Sequence, residues 1–507
     1  MRLSPANGAT RPTAPPEPPL TSRSRPPCAA RPKSFPPSRR FRYGILPRQR
    51  EGPSYRRQHR RLHPMTNPRS IANVTRPDPL RRIANLYRAA CDKVLSAPRF
   101  FLRPPTISVV IPTKDAGQGF RDLLAMLRSQ ERFSSPEIVV VDSGSKDNTI
   151  GIAREFDAKV IEIPAAEFSH SHARNLGARH ASGDYLLFTV QDALPPSRAW
   201  LRRMFMPLLR HGVVAVSCAE DPRPDADLFY RAISWYHTKF MDVERHDRLM
   251  NHPAGEDPQT LRKNAQLSDT ACLIPKAVFS KYQYRGDYAE DLDLGLRLLR
   301  DGYQLAFLGS TRIVHSHNRP AYYHLRRGYV DNVALLRILP GYPATFIEPE
   351  TLLRDVIFTW ACVNSAERQL QVSALPCRPA ELSRVVSEAL RAARVQTCPS
   401  VIDEQHHAYL DGRTQSFLKD VSDEIGVVTE HQSILIDAVE SFVGLMCEYM
   451  SGIYRMIDHR LVEEFWAALY KGWALQCGAH LGACFALGDG EAKAKLTRIN
   501  GELTCGI

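Results

Sequence analysis

No Cys-x-x-Cys pair and no metal-finger spacing occurs among the eleven cysteines of this 507-residue chain. Zinc-finger and thioredoxin-like chemistry is thereby excluded, and reduced thiols in a cytosolic setting account for the odd number. Glycine motifs are equally scarce. There is no G-x-G-x-x-G and no G-K-[ST], so neither dinucleotide binding nor P-loop phosphate chemistry is supported. The N-terminus lacks the apolar run that opens a secretory signal. Acidic residues are nearly missing from residues 1–64, which hold only Glu17 and Glu51 of the chain's 54.

That local absence locates the net charge of +13. Residues 1–64 carry 15 of the 67 lysines and arginines, and the remainder balances 52 basic against 52 acidic groups. The same stretch holds 14 of the 38 prolines and has no apolar periodicity, the composition of a segment that cannot bury a core. A disordered tail over 1–77 is expected, and no nucleic-acid groove. A nucleic-acid arm, a transit peptide and a mis-assigned start all suit such a tail; the last is preferred, because Met65 opens a more ordinary sequence. Overall, 43% hydrophobic and 24% charged residues describe a folded protein with room for two or three domains.

Between 78 and 103, Leu80, Ile83, Tyr87, Cys91 and Val94 recur at helical spacing, with Arg81, Arg82, Arg88 and Lys93 between them. This predicts an amphipathic basic helix, suited equally to packing on the next domain or to peripheral membrane contact. From 104 to 339 short β-branched runs alternate with helical stretches. Ile107 to Ile111, Glu137 to Val141, Ala158 to Ile163 and Tyr185 to Val190 read as strands of an α/β sheet. Ligands of such sheets lie beyond the carboxyl ends of strands, which draws attention to Asp115, Asp142 and Asp192. Residues 340–507 read as a separate, mainly α-helical domain, with helices over Glu381 to Val395, Ser433 to Ile457 and Arg460 to Leu487. The apolar run from Gly472 to Gly488 is short for a membrane span and is interrupted by Gln476 and His480, so a buried core helix is expected.

Several segments, taken in order, resemble family 2 glycosyltransferases of the GT-A fold. They are Ile107 to Lys114 (ISVVIPTK), VVVDSGSKDNT from Val139, His172-Ala173-Arg174-Asn175-Leu176-Gly177, and Gln191-Asp192-Ala193. Glu290-Asp291, Gly302-Tyr303 and Val314-His315-Ser316-His317 are similar in particular to the rhamnosyltransferase-like branch. The likeness runs from about 106 to 332. It implies a Rossmann-like GT-A catalytic domain and an inverting enzyme moving a sugar, rhamnose among the candidates, from a nucleoside diphosphate sugar to a glycan or lipid-linked acceptor hydroxyl. Such an enzyme would serve polysaccharide or cell-surface glycan synthesis at the inner face of the membrane. Galactofuranose or N-acetylhexosamine transfer and a catalytically silent glycan-binding scaffold are the alternatives.

The resemblance implies that Thr113, Asp115, Asp142, Arg174 and Gln191 serve the donor nucleotide, with Arg174 on the diphosphate or base, and that Asp192 reaches a metal ion. The family's commoner D-x-D is reduced here to one acid between Gln191 and Ala193. His315 and His317 share a face of a regular strand, so either can join Asp192. Mg²⁺ or Mn²⁺ is expected. Asp269 and Glu290 are placed on the acceptor side, where Asn is commoner than Asp269. Asp291 is the expected general base, held ionised by the helix start, with Glu290 and Asp293 as rivals.

Overall fold

A computed structural model describes residues 105–244, 246–371, 378–395, 409–426 and 433–505. The basic tail and the helix expected at 78–103 lie outside the described residues. Eight strands form one sheet: β1 (Ile107–Thr113), β2 (Glu137–Asp142), β3 (Lys159–Glu162), β4 (Tyr185–Thr189), β5 (Ala215–Asp221), β6 (Arg248–Met250), β7 (Ala271–Pro275) and β8 (Leu305–Val314), in the order β3-β2-β1-β4-β7-β5-β8-β6. β1 to β4 run parallel; β7 is antiparallel to both β4 and β5, and β8 returns parallel to β5.

The four strands expected from β-branched runs are present to within two residues at each end. Of the other four, β6 is only three residues long, and β5, β7 and β8 carry Ala, Ser, Cys or Gly where strand formers would be expected, as in Ala215–Asp221. Burial between helical layers, not local propensity, makes them strands: Ala215, Val216, Cys218 and Ala219 are all fully buried.

The helices on this sheet are α1 (Gly119–Arg128), α2 (Thr149–Glu155), α3 (His170–His180), α4 (Trp200–Arg210), α5 (Leu228–Met241), α6 (Pro258–Asn264), α7 (Lys276–Tyr282), α8 (Glu290–Arg300) and α9 (Ala321–Ile338). Gly177 lets α3 lie close to the sheet, since a Cβ there would sit 2.4 Å from Val110 Cγ1. Beyond α9 the chain is helical: α10 (Pro349–Gln371), α11 (Pro379–Val395), α12 (Gly412–Ile425), α13 (Leu435–Ser451), α14 (His459–Leu487), α15 (Gly490–Lys495) and α16 (Thr497–Thr504).

These helices share one apolar cluster with α5 and α9, in which Phe229, Leu325 and Tyr329 meet Val356, Phe442 and Trp466. The apolar run of α14 is part of this core, with Trp473, Ala474, Cys477 and Leu481 fully buried. Among the described residues no helix is long and apolar enough to cross a membrane. Three polar ties fix α5 to the same helices. Asp227 caps α5 through Tyr230 N and accepts Lys471 Nζ at 2.5 Å, while Arg231 donates to Glu464 at 2.7 Å and to the Tyr454 hydroxyl at 3.1 Å. Because α5 follows β5 directly, the helical region braces the strand end from which the site is built.

Helices α9 and α14 cross backbone to backbone. A Cβ on Gly478 would stand 1.9 Å from the Leu325 carbonyl oxygen, and one on Gly328 2.2 Å from that of Leu475. Gly478→Ala is therefore expected to destabilise the protein by about 1–3 kcal/mol, because neither backbone can yield without separating the helices. Gly444→Ala on the exposed side of α13, with nothing within 4 Å, should instead stabilise by about 0.5–1 kcal/mol. Thermal unfolding of the two variants reads this difference in sign.

Candidate active site

The carboxyl ends of β1, β2 and β4 carry a tightly bonded loop cluster. Asp142 is fully buried; Oδ1 accepts Gly144 N and Ser145 N at 3.0 and 2.8 Å, and Oδ2 accepts the Thr113 and Ser145 hydroxyls at 2.8 and 2.5 Å. Four donors on two carboxylate oxygens use their acceptor capacity, so Asp142 and Thr113 shape the loop in this structure. Gln191 is similarly engaged: its amide brackets the backbone of Lys114, accepting N–H at 2.8 Å and donating to the carbonyl at 3.0 Å. Asp115 is the exposed acid of the group. It takes a left-handed conformation, φ 44°, and accepts Lys146 N at 2.6 Å.

Arg174 stands elsewhere. Its guanidinium is fully buried, donates to Glu290 at 2.7 Å and to Asp269, and lies 5.8 Å from the centre of the Tyr284 ring. The structure thus groups it with Asp269 and Glu290. The neighbouring Asn175 pairs with both backbone groups of Tyr284, at 2.9 and 3.0 Å, and so pins the segment leading into α8. The HARN stretch is a clamp on that segment.

Asp291 follows Glu290 at the start of α8, after Ala289 in the left-handed conformation at φ 55°. Its Oδ1 accepts Leu292 N at 2.7 Å. The expectation that the helix start keeps it ionised is overturned. Burial, together with Asp269 and Glu290, pushes its pKa up to about 8, because three acids face one arginine. Burial raises Glu290 as well, against the pull of Arg174. Asp293, the other rival, instead pairs with Arg297 at 2.8 Å.

The third cluster forms where β4 and β8 end. These strands are separated in the sheet by β7 and β5, yet beyond their ends Leu194 bridges to Val314 through two backbone hydrogen bonds, 2.8 and 2.9 Å. This brings Asp192 beside His315 and His317. Since β8 ends at Val314, both histidines lie in the following loop, but their rings still converge. Their Nε2 atoms are 3.0 Å apart, with Asp192 oxygens 3.6 Å from His315 Nε2 and 3.4 Å from His317 Nδ1. Two imidazole nitrogens at this distance cannot both carry a proton, whereas a divalent ion accepts lone pairs from both. Two histidines and one carboxylate are a common first-row transition-metal donor set, and Asp192, His315 and His317 fit such an ion.

Glu220, at the end of β5, was not anticipated from the sequence. Its Oε2 lies 2.8 Å from His315 Nδ1 and accepts the Tyr230 hydroxyl at 2.9 Å, while Oε1 accepts the Thr270 hydroxyl at 3.1 Å. Although burial opposes it, bonding to His315 holds the Glu220 carboxyl down to about 2, and Glu220 in turn raises His315 against its burial. Burial and the nearby His315 lower His317 to about 4. A carboxylate behind a metal-facing histidine fixes ring orientation and tautomer. The available sequence signal was an acid at a strand end, Glu220-Asp221, hidden because that strand was not recognised.

His170, Asp269 and Glu290 form a second group close enough to hold an ion, but Arg174 already supplies their cation. The segment Ser268-Asp269-Thr270 joins the two clusters: Asp269 meets Arg174, and Thr270 meets Glu220.

Residues 108–281 match the model of the glycosyl transferase family 2. The chain is 24% identical over 224 residues to the O-antigen chain rhamnosyltransferase RfbN of Salmonella typhimurium, covering 42% of this chain and 67% of that protein. It is 25% identical over 221 residues to the O-antigen chain rhamnosyltransferase WbaN of Salmonella anatum, with the same coverage. Among solved structures, the mannosyltransferase PcManGT from Pyrobaculum calidifontis, in complex with GDP-Man and Mn²⁺, aligns with a TM-score of 0.39 and 16% identity over 74% of this chain and 98% of that one.

Two outcomes are expected. Glu220→Gln should weaken Mn²⁺ affinity roughly 10–100-fold by freeing the His315 ring, measured by calorimetric titration of the full chain. The raised pKa of Asp291 means that the folded state favours its neutral form. The stability this contributes is complete below the ordinary aspartate pKa and is lost as pH rises through about 8. Asp291→Asn should therefore gain melting temperature over the natural protein at pH 9 and much less at pH 5.

Proposed function

The chain carries a family 2 glycosyltransferase domain over residues 108–281, and we propose that it performs one inverting displacement, in which a glycan or glycolipid hydroxyl replaces the nucleoside diphosphate of a sugar nucleotide. The observation that carries this reading is the adjacency of a His-His-Asp group close enough to hold an ion and the part-buried Asp291 carboxyl of raised pKa, joined by Ser268 to Thr270. The relatives' rhamnosyltransferase names support rhamnose as the sugar transferred.

Asp192, His315 and His317 would hold the ion, with Glu220 and Tyr230 orienting His315. The two imidazoles favour Mn²⁺ over Mg²⁺, which prefers oxygen donors. When bound, the ion supplies neutralisation of the leaving diphosphate. Asp115, on the loop shaped by Thr113, Asp142 and Gln191, faces the nucleoside. Asp291 takes the proton of the attacking hydroxyl, and its raised pKa makes it a stronger base than an ordinary aspartate once ionised. Arg174, with Asp269 and Glu290, holds Asp291 in place instead of binding the donor.

In this reading residues 104–339 are catalytic and 340–507 support them. Peripheral attachment at the inner membrane face falls to the basic segment 78–103, where each Lys or Arg near an anionic leaflet adds about 1 kcal/mol.

Full-length protein is to be screened against nucleotide sugars, reading nucleoside diphosphate release with and without Mn²⁺ and acceptor. Turnover should vanish in excess chelator, rise with pH through about 8, and fall roughly 10²–10⁴-fold in Asp291→Asn with donor affinity retained. Turnover indifferent to both the chelator and this substitution would remove the ion and the base from the reaction.

A further inference from the structure

A cavity of about 290 Å³ opens behind Glu220, on the side of α5 that faces α13 and the end of β8. Its walls include Trp235, Tyr449, Arg231, Arg312, Glu244 and Ser234, and Glu220 belongs to its lining. The indole and phenol rings stand 5.9 Å apart at 50°, both only partly buried. Lys239 covers the indole at 5.1 Å and is itself paired with Glu448.

Three features of this lining point to one ligand class. First, its two arginines are already paired, Arg231 with Glu464 and Arg312 with Asp221, while Glu220 and Glu244 add negative charge to the lining. A phosphate or a polyanion would find no net attraction there. Second, the Arg231 and Arg312 guanidiniums and the exposed Glu244 carboxylate set planar donors and an acceptor along the same lining, groups that hydroxyls can bond to. Third, the aromatic rings offer apolar faces to C–H surfaces in a cavity otherwise lined by polar groups, the mixture that small polar ligands require. Its volume lies near the lower end of ordinary small-molecule sites, about 300–1,000 Å³, room for one or two sugar rings.

We propose that this cavity binds uncharged sugar residues of the acceptor glycan, away from the hydroxyl that reacts. The inference rests on the transferase reading above, and it adds a site to which the family-like motifs of the chain contribute no lining residue. Every lining residue comes from α5, α13, the β5 and β8 ends or the turn after α5, so the helical region contributes to acceptor choice through Tyr449. Glu220 connects the two sites physically, since the same residue that lines the cavity orients His315.

The test applies full-length protein to immobilised neutral di- to tetrasaccharides of rhamnose, mannose, galactose and glucose, beside uronic-acid tetrasaccharides of equal length. Neutral tetrasaccharides should bind and uronates should not. Trp235→Ala and Glu244→Gln should each weaken that binding at least about tenfold, while Trp235→Phe retains most of it. Glu244 is exposed, so its substitution leaves the fold intact. Acceptor-free nucleoside diphosphate release and Mn²⁺ affinity should be unchanged in all three variants. Binding at natural strength in Glu244→Gln and Trp235→Ala, equal binding of uronates, or no neutral saccharide binding at all overturns the proposal. In each of those cases, Mn²⁺-dependent turnover that Asp291→Asn abolishes would leave the transferase reading standing. Saccharide binding without any donor turnover would keep the cavity and remove the reaction.

Discussion

The buried guanidinium of Arg174 is the interaction on which the candidate site depends. It comes from α3, reaches Asp269 ahead of β7 and Glu290 at the start of α8, and so ties together three segments far apart in the chain. A buried ion pair contributes little net stability when intact, but removing one partner strands the other charge in a dry interior, at a penalty of about 3–5 kcal/mol. Its value here is geometric. With Asn175 gripping the backbone of Tyr284, it sets where α8 begins, and therefore where Asp291 stands.

The same arrangement explains the chemistry available at Asp291. One arginine cannot neutralise three neighbouring carboxyls, and the residual repulsion combines with burial to raise the pKa of the least compensated one. Ala289 adds a left-handed residue without the usual glycine just before these acids. Backbone strain and like-charge crowding are both unfavourable to the fold, and both concentrate at the start of α8, where Asp291 stands.

The helical region has a structural counterpart to this role at the other cluster. It holds α5 through Asp227, Arg231 and a shared apolar core, and α5 carries Tyr230 to Glu220. The path runs from the α9–α14 glycine crossing, through α5, to the ring orientation of His315. It is a continuous packed structure, and it gives the C-terminal half of the chain a physical connection to the cluster of Asp192, His315 and His317.

Much of this was legible in the amino-acid sequence. Runs such as Val139 to Val141 need only local β propensity and burial to be strands, and the apolar stretch of α14 is too short and too interrupted to be anything but a core helix. The ordered motifs marked Asp192, Asp269, Glu290, Asp291, His315 and His317 as residues of one site. What the sequence could not decide is which of them meet. The resemblance placed Arg174 at the donor without showing what it pairs with in the folded chain, and the fold of α3 against β1 turns it toward Asp269 and Glu290. Asp291 looked ionised because a helix start stabilises negative charge locally, whereas its pKa is set by burial and by neighbours about 20 residues away or adjacent in the chain. Glu220 was invisible because β5 is a strand by burial alone. Local patterns determine elements, since propensity and periodicity act over a few residues. Charge pairing, tautomers and pKa values depend on through-space distances, and only the tertiary structure fixes those.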